Sequence, residues 1–218
     1  MTTPTIASIH TMLRPLAAGA LAVLLCSCAA TSVKNTWKSP DSQQPVGKVA
    51  VLAIAHNGSV RKGFENRFAT QLANAGTQAM VTYDTLSLPE IKQDKRTAAD
   101  RILANGVDAL LILRVVDTGT YYRESQPGGE RYAGTITGFE TMGWYDYYSV
   151  AFMNMSPTYG TLKQTVYLET SVYDLKTEKR LWSLLTKTVL EEHADGVAEA
   201  DRLVPKIVAA MRKDGIVR

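Results

Sequence analysis

The chain has 218 residues, of which 45% are hydrophobic, and this length suits one domain with a sizeable buried core. Its 24 basic and 21 acidic residues leave a formal net charge of +3, which excludes a general electrostatic attraction to nucleic acid or to anionic lipid. The sequence contains two cysteines, Cys26 and Cys28, and both follow its one long apolar run.

The amino-terminal segment has the pattern of an export signal. Its first fourteen residues contain no acidic residue and end at Arg14, and the next eleven, "PLAAGALAVLL", carry no charge. A helix needs about 20 apolar residues to cross a bilayer, so this run is too short to remain as a span. A positive flank, a short apolar core and small residues after it indicate a secretory leader. Met12 is an alternative start, because "MLRPLAAGALAVLL" is a complete leader by itself.

The cleavage region resembles the lipobox of bacterial lipoproteins, in which Leu and two small residues precede an invariant cysteine. Here "LCSC" places Leu25 at −3 and Cys28 directly after the cleavage site, whereas lipidation of Cys26 would put the bulky Leu25 at −1. The alternative is an ordinary secretory leader with incidental cysteines. The resemblance implies a leader over residues 1–27, a diacylglyceryl thioether on Cys28 and an amide-linked acyl chain such as palmitate. Ala29, in place of Asp, implies sorting to the outer membrane of a Gram-negative bacterium.

Residues 28–46 are mainly polar, contain two prolines and are predicted to be the lipid anchor and a flexible tether with a reach of about 25 Å. Trp37 leaves a second possibility open, in which it packs on the domain and residues 32–38 add a short edge strand. Residues 47–218 are predicted to form a single α/β domain. Apart from Cys28 the mature chain has no cysteine, which excludes an internal disulfide, a thiolate nucleophile and a cysteine-based metal site.

The first half of the domain alternates between strand and helix patterns. Continuous apolar runs predict strands covered on both faces at 48–55 and 108–116, and a shorter run predicts a strand at 78–83. A helix is predicted between the first two strands, from a cap at Ser59 to a stop at Gly76, and polar helical turns precede the third. This β-α-β-α-β order implies right-handed crossovers and a parallel sheet core.

The second half has an antiparallel pattern. Residues 162–190 contain two apolar segments around a polar turn, which predicts a hairpin. A closing amphipathic helix is predicted from a cap at Asp195 to Gly215, with a kink or a second start at Pro205. Its inward stripe comprises Val197, Ala200, Val204, Ile207 and Met211. The predicted fold class is α/β: a mixed sheet of about five strands, with a parallel β-α-β-α-β core followed by an antiparallel hairpin and a C-terminal helix.

An aromatic and glycine-rich insertion, residues 120–160, separates the third strand from the hairpin. A connection of this length inside a compact domain is uncommon and tends to be functional or disordered. One interpretation is an edge hairpin whose aromatic side chains cover the core. Another is a contact surface, because tyrosine and tryptophan offer rigid, amphipathic area to a protein partner or to lipid headgroups. The candidate surface residues are Trp144, Tyr145, Tyr147, Tyr148 and Phe152.

Two histidines, His56 and His193, follow the predicted leader, and the residues around them do not indicate a catalytic or metal site. His56 lies where a parallel strand ends and a helix begins, a place that suits anions, and Arg61 and Lys62 would reinforce that preference. The segment lacks the P-loop and G-x-G-x-x-G patterns, and a turn followed by a capped helix is the preferred interpretation. His193 lies in "EEHAD" (191–195), where acidic residues suit a helix entrance better than a metal site. We therefore predict no catalytic residue, no cofactor and no metal.

Seven segments carry a resemblance to a known family. In order along the chain they are "LCSC", "TWKSPD", "KVAVLAIA", "GVDALLILRVV", the aromatic insertion, "VYDLKTEKRLWS" and "RKDGIV". Together they resemble a family of proteobacterial outer-membrane lipoproteins of the domain-of-unknown-function type. The resemblance covers essentially the whole mature chain and implies a fold and a location, but no catalytic residue. The strand order is also similar to that of the amino-terminal domain of the Tol-system propeller protein and of the curli secretion lipoprotein, which is a likeness of fold only.

The leading functional hypothesis is a non-catalytic outer-membrane lipoprotein that faces the periplasm and binds an envelope protein through the aromatic insertion. We expect no enzymatic activity and no nucleic-acid partner. One alternative is a small-ligand binder or enzyme that uses the crevice near His56. Another is an oligomeric pore, in which amphipathic hairpins from residues 117–168 enter the membrane.

Overall fold

A computed structural model describes the protein over residues 31–116, 164–190 and 195–218. Within these ranges the chain forms six strands and four helices. In chain order they are β1 (Thr31–Lys38), β2 (Lys48–Ile54), α1 (Gly58–Asn74), β3 (Gln78–Val81), α2 (Leu88–Gln93), α3 (Lys95–Leu103), β4 (Ala109–Val116), β5 (Gln164–Asp174), β6 (Arg180–Leu190) and α4 (Gly196–Lys213).

All six strands belong to one sheet with the order β1-β6-β5-β4-β2-β3. β4, β2 and β3 are parallel to one another, whereas β1, β6, β5 and β4 pair antiparallel in succession. The predicted fold class, a mixed sheet with a parallel core, an antiparallel hairpin and a C-terminal helix, is confirmed. The sheet has one strand more than the five expected, because the segment before the domain contributes β1.

Helices cover the two faces of the sheet. α1 and α4 pack on one face, where the apolar residues of β2 and β4 with odd numbers point. α2 and α3 pack on the other face, against the even-numbered residues of the same strands. β2 is consequently buried from Val49 to Ile54, as its continuous apolar run predicts. The larger core contains, among others, Phe64, Phe68, Leu72, Trp182, Leu184, Leu203, Ile207 and Met211.

β1 shows that the segment before residue 47 belongs to the fold. It pairs antiparallel with β6 from Thr31↔Thr188 to Lys38↔Trp182. The chain after it is also held, since Ser39 N donates to Leu181 O at 2.8 Å and Val46 N donates to Ile216 O at 2.9 Å. In place of the flexible tether expected over residues 28–46, the described part of that interval is therefore an edge strand and a bonded connection.

α4 begins and ends at the residues that its local signals predict. Asp195 is the N-cap and accepts a hydrogen bond from Val197 N at 2.9 Å, and Gly215 follows the helix with φ of 68°. Pro205 lies inside this continuous helix, so the predicted second start is wrong. Residue 201, whose carbonyl would have accepted a bond from position 205, is exposed, and water can satisfy it there.

Two glycines allow α1 and α4 to approach closely at their first turns. A Cβ atom at Gly196 would lie 2.8 Å from Val60 Cγ2, and one at Gly63 would lie 3.2 Å from both methyl groups of Val197. Val197 itself is 39% exposed, which corrects its assignment to the buried stripe. The other four residues of the predicted stripe, Ala200, Val204, Ile207 and Met211, are buried.

Candidate functional site

Six strand termini meet at one end of the sheet, which we call the anchor end. The register places the first residue of β1 beside the last residues of β6, because Thr31 pairs with Thr188. It also places the last residue of β4 beside the start of β5, since Val116 pairs with Tyr167. The carboxyl ends of the parallel strands β2 and β3 lie at the same end, as do the first turns of α1 and α4. The described ends of these strands and the starts of these two helices therefore lie at the same end of the sheet as Thr31.

Cys28, the predicted lipidation site, lies outside the described residues and precedes the sheet by three positions. Three residues of fully extended chain span about 11 Å at most. The distance between Cys28 and the Thr31 end of the sheet is consequently limited to about that value, less than half of the reach expected for the tether.

The segment after β2 forms a capped helix start at the anchor end. Asn57 is the N-cap of α1, and its side-chain oxygen accepts from Ser59 N at 2.8 Å and from Val60 N at 3.2 Å. Ser59, the expected cap, is instead a residue of the first turn, because the helix begins earlier at Gly58. His56 is exposed just before this cap.

A buried carboxylate, that of Glu65, joins α1 to the ends of β2 and β3. It accepts hydrogen bonds from Thr82 N at 2.6 Å, from Tyr83 N at 2.9 Å and from Ala53 N at 3.2 Å. β3 ends at Val81, two residues before the predicted end, and the next two backbone N–H groups turn to this carboxylate. Glu65 thus satisfies donors that would otherwise be lost at the end of the parallel sheet.

Arg61 completes this cluster instead of facing an anion. Its Nε donates to Glu65 Oε1 at 2.8 Å, and its Nη2 donates to Thr82 Oγ1 at 3.0 Å and to Leu86 O at 2.9 Å. The side chain is 9% exposed. Lys62 is exposed and lies over the ring of Tyr83, with Nζ 5.4 Å from the centroid. Of the three residues expected to form an anion crevice, one is therefore paired inside the domain and the other two are solvent-facing.

A second buried charge cluster lies between β4, β5 and β6. Arg114 donates to Glu169 Oε2 through Nε at 2.9 Å and through Nη2 at 2.7 Å. Arg180 Nη1 lies 3.7 Å from the other oxygen, Oε1. The three side chains are at most 2% exposed. One oxygen of the Glu169 carboxylate thus faces Arg114 and the other faces Arg180. Ser171 on β5 and Ser183 on β6 are also fully buried.

This cluster was not predicted, although the sequence carries a signal for it. Arg114 interrupts the apolar run of β4, and Glu169 stands inside a segment of β-branched and aromatic residues. A charged residue in a strand that is buried on both faces needs a partner of opposite charge. Two opposite charges on consecutive strands of a predicted sheet therefore indicate a buried pair.

Trp37 lies on the same face and links β1 to the cluster. Its ring is half-buried against the apolar group formed by Val116, Tyr167 and Leu185. The guanidinium carbon of Arg180 lies 5.1 Å from the ring centroid, within the range of a cation–π contact. The second possibility for Trp37, packing on the domain within an edge strand, is the one observed.

Two open clefts lie beside α2 and α3. The larger has a volume of about 440 Å³, and the smaller has about 250 Å³. The larger is lined by Lys92, Gln93, Asp94, Lys95, Arg96 and Glu178. Its basic and acidic groups alternate around an exposed rim, and the site has the composition of a solvated surface rather than that of an apolar ligand pocket.

Two carboxylates at these clefts have lowered pKa values because they cap helices. The Ser87 backbone N–H, which donates to Glu90 Oε2 at 2.8 Å, and then the Ser87 hydroxyl hold the pKa of Glu90 below its ordinary 4.5. The hydroxyl of Thr97, which donates to Asp94 Oδ2 at 2.6 Å, and then its backbone N–H lower the pKa of Asp94 from 3.8. These shifts come from capping bonds, which stabilise the two helix starts.

The described residues contain no group of three His, Cys, Asp or Glu side chains able to hold a metal ion. Over the same ranges, the helices are too short or too polar to cross a bilayer. His193 and the candidate surface residues Trp144, Tyr145, Tyr147, Tyr148 and Phe152 lie outside the described ranges. The pore hypothesis used residues 117–168. Of these, residues 164–168 belong to β5, an interior strand of the sheet, where Val166, Tyr167 and Leu168 are buried in the protein.

Solved structures match this chain only at low similarity. The PelC dodecamer from Paraburkholderia phytofirmans, in two crystal forms, covers 82% of this chain and 96% or 95% of its own at 11% identity, with TM-scores of 0.45 and 0.44. Lipoprotein GNA1162 from Neisseria meningitidis covers 77% of this chain and 99% of its own at 18% identity, with a TM-score of 0.37. No protein-family model and no curated protein matches the sequence. Similarity at this level does not show a common family, so conclusions about function rest on the chain itself.

Proposed function

We propose that this chain is a lipoprotein of the outer membrane, acylated at Cys28, whose periplasm-facing domain is a non-catalytic binding module for an envelope protein. The start of the sheet at Thr31, three residues after the lipobox cysteine, carries the proposal. Cleavage before Cys28 leaves every described element intact and puts the acyl chains directly at the domain. Two or more acyl chains hold a protein firmly on a bilayer, at about 0.8 kcal/mol per buried CH₂ group.

The polar clusters support a non-catalytic role because the domain uses them internally. Arg61 and Glu65 bind each other and the backbone at the ends of β2 and β3. Arg114 and Glu169 are fully buried between two strands. A catalytic acid or base must reach its substrate, and none of these four side chains is open to one.

The binding role is assigned to the aromatic insertion. Its candidate surface residues are Trp144, Tyr145, Tyr147, Tyr148 and Phe152. The chain leaves β4 at Val116 and returns to β5 at Gln164, both at the anchor end. The insertion is therefore attached to the domain at the end nearest the proposed lipid anchor, which suits contact with a protein of the envelope.

The lipid anchor is tested with two cysteine substitutions that differ by two positions. Cys28→Ser should give a full-length, unacylated chain that keeps its leader and is missing from the outer-membrane fraction, because the nucleophile for the thioether is lost. Cys26→Ser is the matched control, and it should remain acylated and membrane-bound. Intact-mass analysis of both proteins reads the result directly. Acylation of the Cys28→Ser protein, or an unacylated native chain, would contradict the proposal.

The binding role is tested by crosslinking in cells followed by mass spectrometry. Serine in place of the five candidate residues Trp144, Tyr145, Tyr147, Tyr148 and Phe152 should abolish one reproducible crosslinked envelope protein. The matched control replaces five other aromatic residues of the same insertion: Tyr121, Tyr122, Tyr132, Phe139 and Tyr159. The control should keep the crosslink at equal expression. Equal crosslinking by both variants would assign partner binding to another surface.

A further inference from the structure

The short chain between Cys28 and the sheet limits how the domain can lie on a membrane. If Cys28 carries lipid, its sulfur lies at the level of the headgroups, and Thr31 lies within about 11 Å of it along the chain. β5 and β6 are the longest of the described strands, with 11 residues each. At about 3.3 Å per residue each strand extends roughly 35 Å, so the two ends of the sheet cannot both lie near the lipid unless the domain lies on its side.

The exposed apolar side chains distinguish the two ends. Among the described residues, Val33 and Val197 are the large hydrophobic side chains that are exposed, at 53% and 39%. Val33 is the third residue of β1, and Val197 is in the first turn of α4. Both positions are at the anchor end, although they belong to opposite ends of the sequence.

An amphipathic pair stands at the same end. Lys62 in the first turns of α1 lies over the ring of Tyr83, which follows β3. The tyrosine hydroxyl donates to Asn66 Oδ1 at 2.8 Å. A tyrosine ring with a lysine stem across it combines apolar area with polar tips, which is the composition favoured at the level of lipid headgroups.

The opposite end has the chemistry of a water-exposed turn. β5 and β6 are joined there by residues 175–179, which include Lys176, Glu178 and Lys179. Asp174 Oδ1 closes the turn by accepting from Lys176 N at 2.9 Å and Thr177 N at 2.7 Å. Lys176 and Glu178 are exposed.

We propose that the anchor end is the membrane-facing surface of the domain and that it rests on phospholipid headgroups, with the 175–179 turn pointing away from the bilayer. This orientation rests on the proposed acylation of Cys28. Val33, Val197 and the Lys62–Tyr83 pair form the part of the contact that the structure describes. The crevice at the carboxyl ends of β2 and β3, with His56 beside it, then faces lipid rather than the open periplasm.

The orientation is tested with single-cysteine variants of the acylated, full-length protein. Because lipid blocks the thiol of Cys28, and the mature chain has no other cysteine, an introduced cysteine can be labelled alone. Three exposed positions sample the fold: Ser59→Cys at the anchor end, Thr36→Cys along the outer edge of β1, and Lys176→Cys in the distant turn. Each carries a fluorophore in vesicles of phosphatidylethanolamine and phosphatidylglycerol that contain a headgroup-nitroxide lipid.

We expect the label at position 59 to be quenched several-fold more strongly than the label at 176, with position 36 between them. Equal quenching at 59 and 176 would overturn the proposed orientation, since the domain would then turn freely. Stronger quenching at 36 than at 59 would also overturn it, because the edge of β1 would then lie on the membrane. Flotation and intact mass of the same samples show whether acylation itself holds, so failure of the anchor is distinguished from failure of the orientation.

A longer tether provides a second test that does not alter the domain. A 20-residue Gly/Ser insertion between Ala30 and Thr31 should reduce quenching at position 59 and leave flotation unchanged, because such a linker reaches about 25 Å. The matched control places the same insertion between Lys176 and Thr177, where it should leave quenching at 59 unchanged. Undiminished quenching with the long tether would show that the tether does not set the orientation.

Discussion

Arg114 on β4 and Glu169 on β5 are direct cross-strand partners, joined by two hydrogen bonds of 2.9 and 2.7 Å to one carboxylate oxygen. Their side chains are 2% and 0% exposed. A slip of one residue between the two strands would place the two side chains on opposite faces of the sheet, so the pair cannot form in that alignment. The ion pair therefore favours the observed register of β4 and β5.

Glu169→Gln should destabilise the domain strongly. It removes the charge that lies between two buried guanidinium groups, and the loss of one partner from a buried pair costs about 3–5 kcal/mol in the free energy of unfolding. Urea unfolding at neutral pH measures the change. Glu178→Gln, at an exposed turn position, is the control and should change stability by less than about 0.5 kcal/mol. A similarly small change for both variants would show that the buried pair contributes little to the stability of the fold.

Arg61→Met should also lower stability, because it leaves the buried Glu65 carboxylate without its cationic partner. The expected loss is about 3 kcal/mol or more in urea unfolding. The backbone N–H groups of Thr82 and Tyr83 donate hydrogen bonds to Glu65, so faster amide hydrogen exchange at these two residues should accompany the loss of stability. The neighbouring Lys62→Met is the control and should cost no more than about 1 kcal/mol, the value of an exposed cation–π contact. If Arg61 served an external anion instead, its replacement would leave stability unchanged.

Gly196→Ala should destabilise the contact between α1 and α4. The new Cβ would lie 2.8 Å from Val60 Cγ2, and the stiff valine side chain cannot swing away. Overpacking of this kind costs about 1–3 kcal/mol, measured by thermal or urea unfolding. Gly58→Ala is a close control, since Gly58 also begins a helix and has nothing within 4 Å of its Cβ position. The double variant with Val60→Ala should recover part of the loss, and failure to recover would place the strain elsewhere.

The capping bonds predict different pKa responses in two variants. Thr97→Val removes the hydroxyl that contributes most to the lowered pKa of Asp94, so that pKa should rise toward 3.8. Ser87→Ala leaves in place the backbone N–H that contributes most for Glu90, so the pKa of Glu90 should rise less. NMR titration of both carboxyl groups measures this. A larger rise for Glu90 than for Asp94 would contradict the assignment of the bonds.

The same shifts determine the sign of the pH dependence. A carboxyl group whose pKa is lower in the folded state stabilises the fold above its unfolded pKa. This stabilisation is lost as the pH falls through the folded value, so Glu90 and Asp94 contribute to a loss of stability below about pH 4.5 and 3.8. The wild-type protein should therefore lose more stability in this acidic range than a Ser87→Ala, Thr97→Val double variant. Equal acid sensitivity would contradict the contribution of these caps.

Local patterns predicted most elements of the fold. The apolar runs of β2 and β4, the spacing of Phe64, Phe68 and Leu72 in α1, and the cap and stop of α4 each depend on residues within one element. The element type follows from burial and periodicity, which the sequence displays directly. The errors lie at the ends of elements. The start of α1 is capped by the side chain of Asn57 in the preceding turn, and β3 ends at Val81 because the next backbone N–H group donates to the Glu65 carboxylate of α1.

The sequence by itself determined the order along the chain of the strand and helix segments from β2 onward and the parallel core, because each depends on residues that are neighbours along the chain. It also predicts acylation at Cys28. Only the tertiary structure decided the partner of β1, the pairing of Arg114 with Glu169 and the inward use of Arg61. In each case the deciding contact joins groups whose distance depends on the register and packing of separate elements. Thr31 meets Thr188 across 157 positions, and a pairing at that separation is set by the whole sheet rather than by any local pattern.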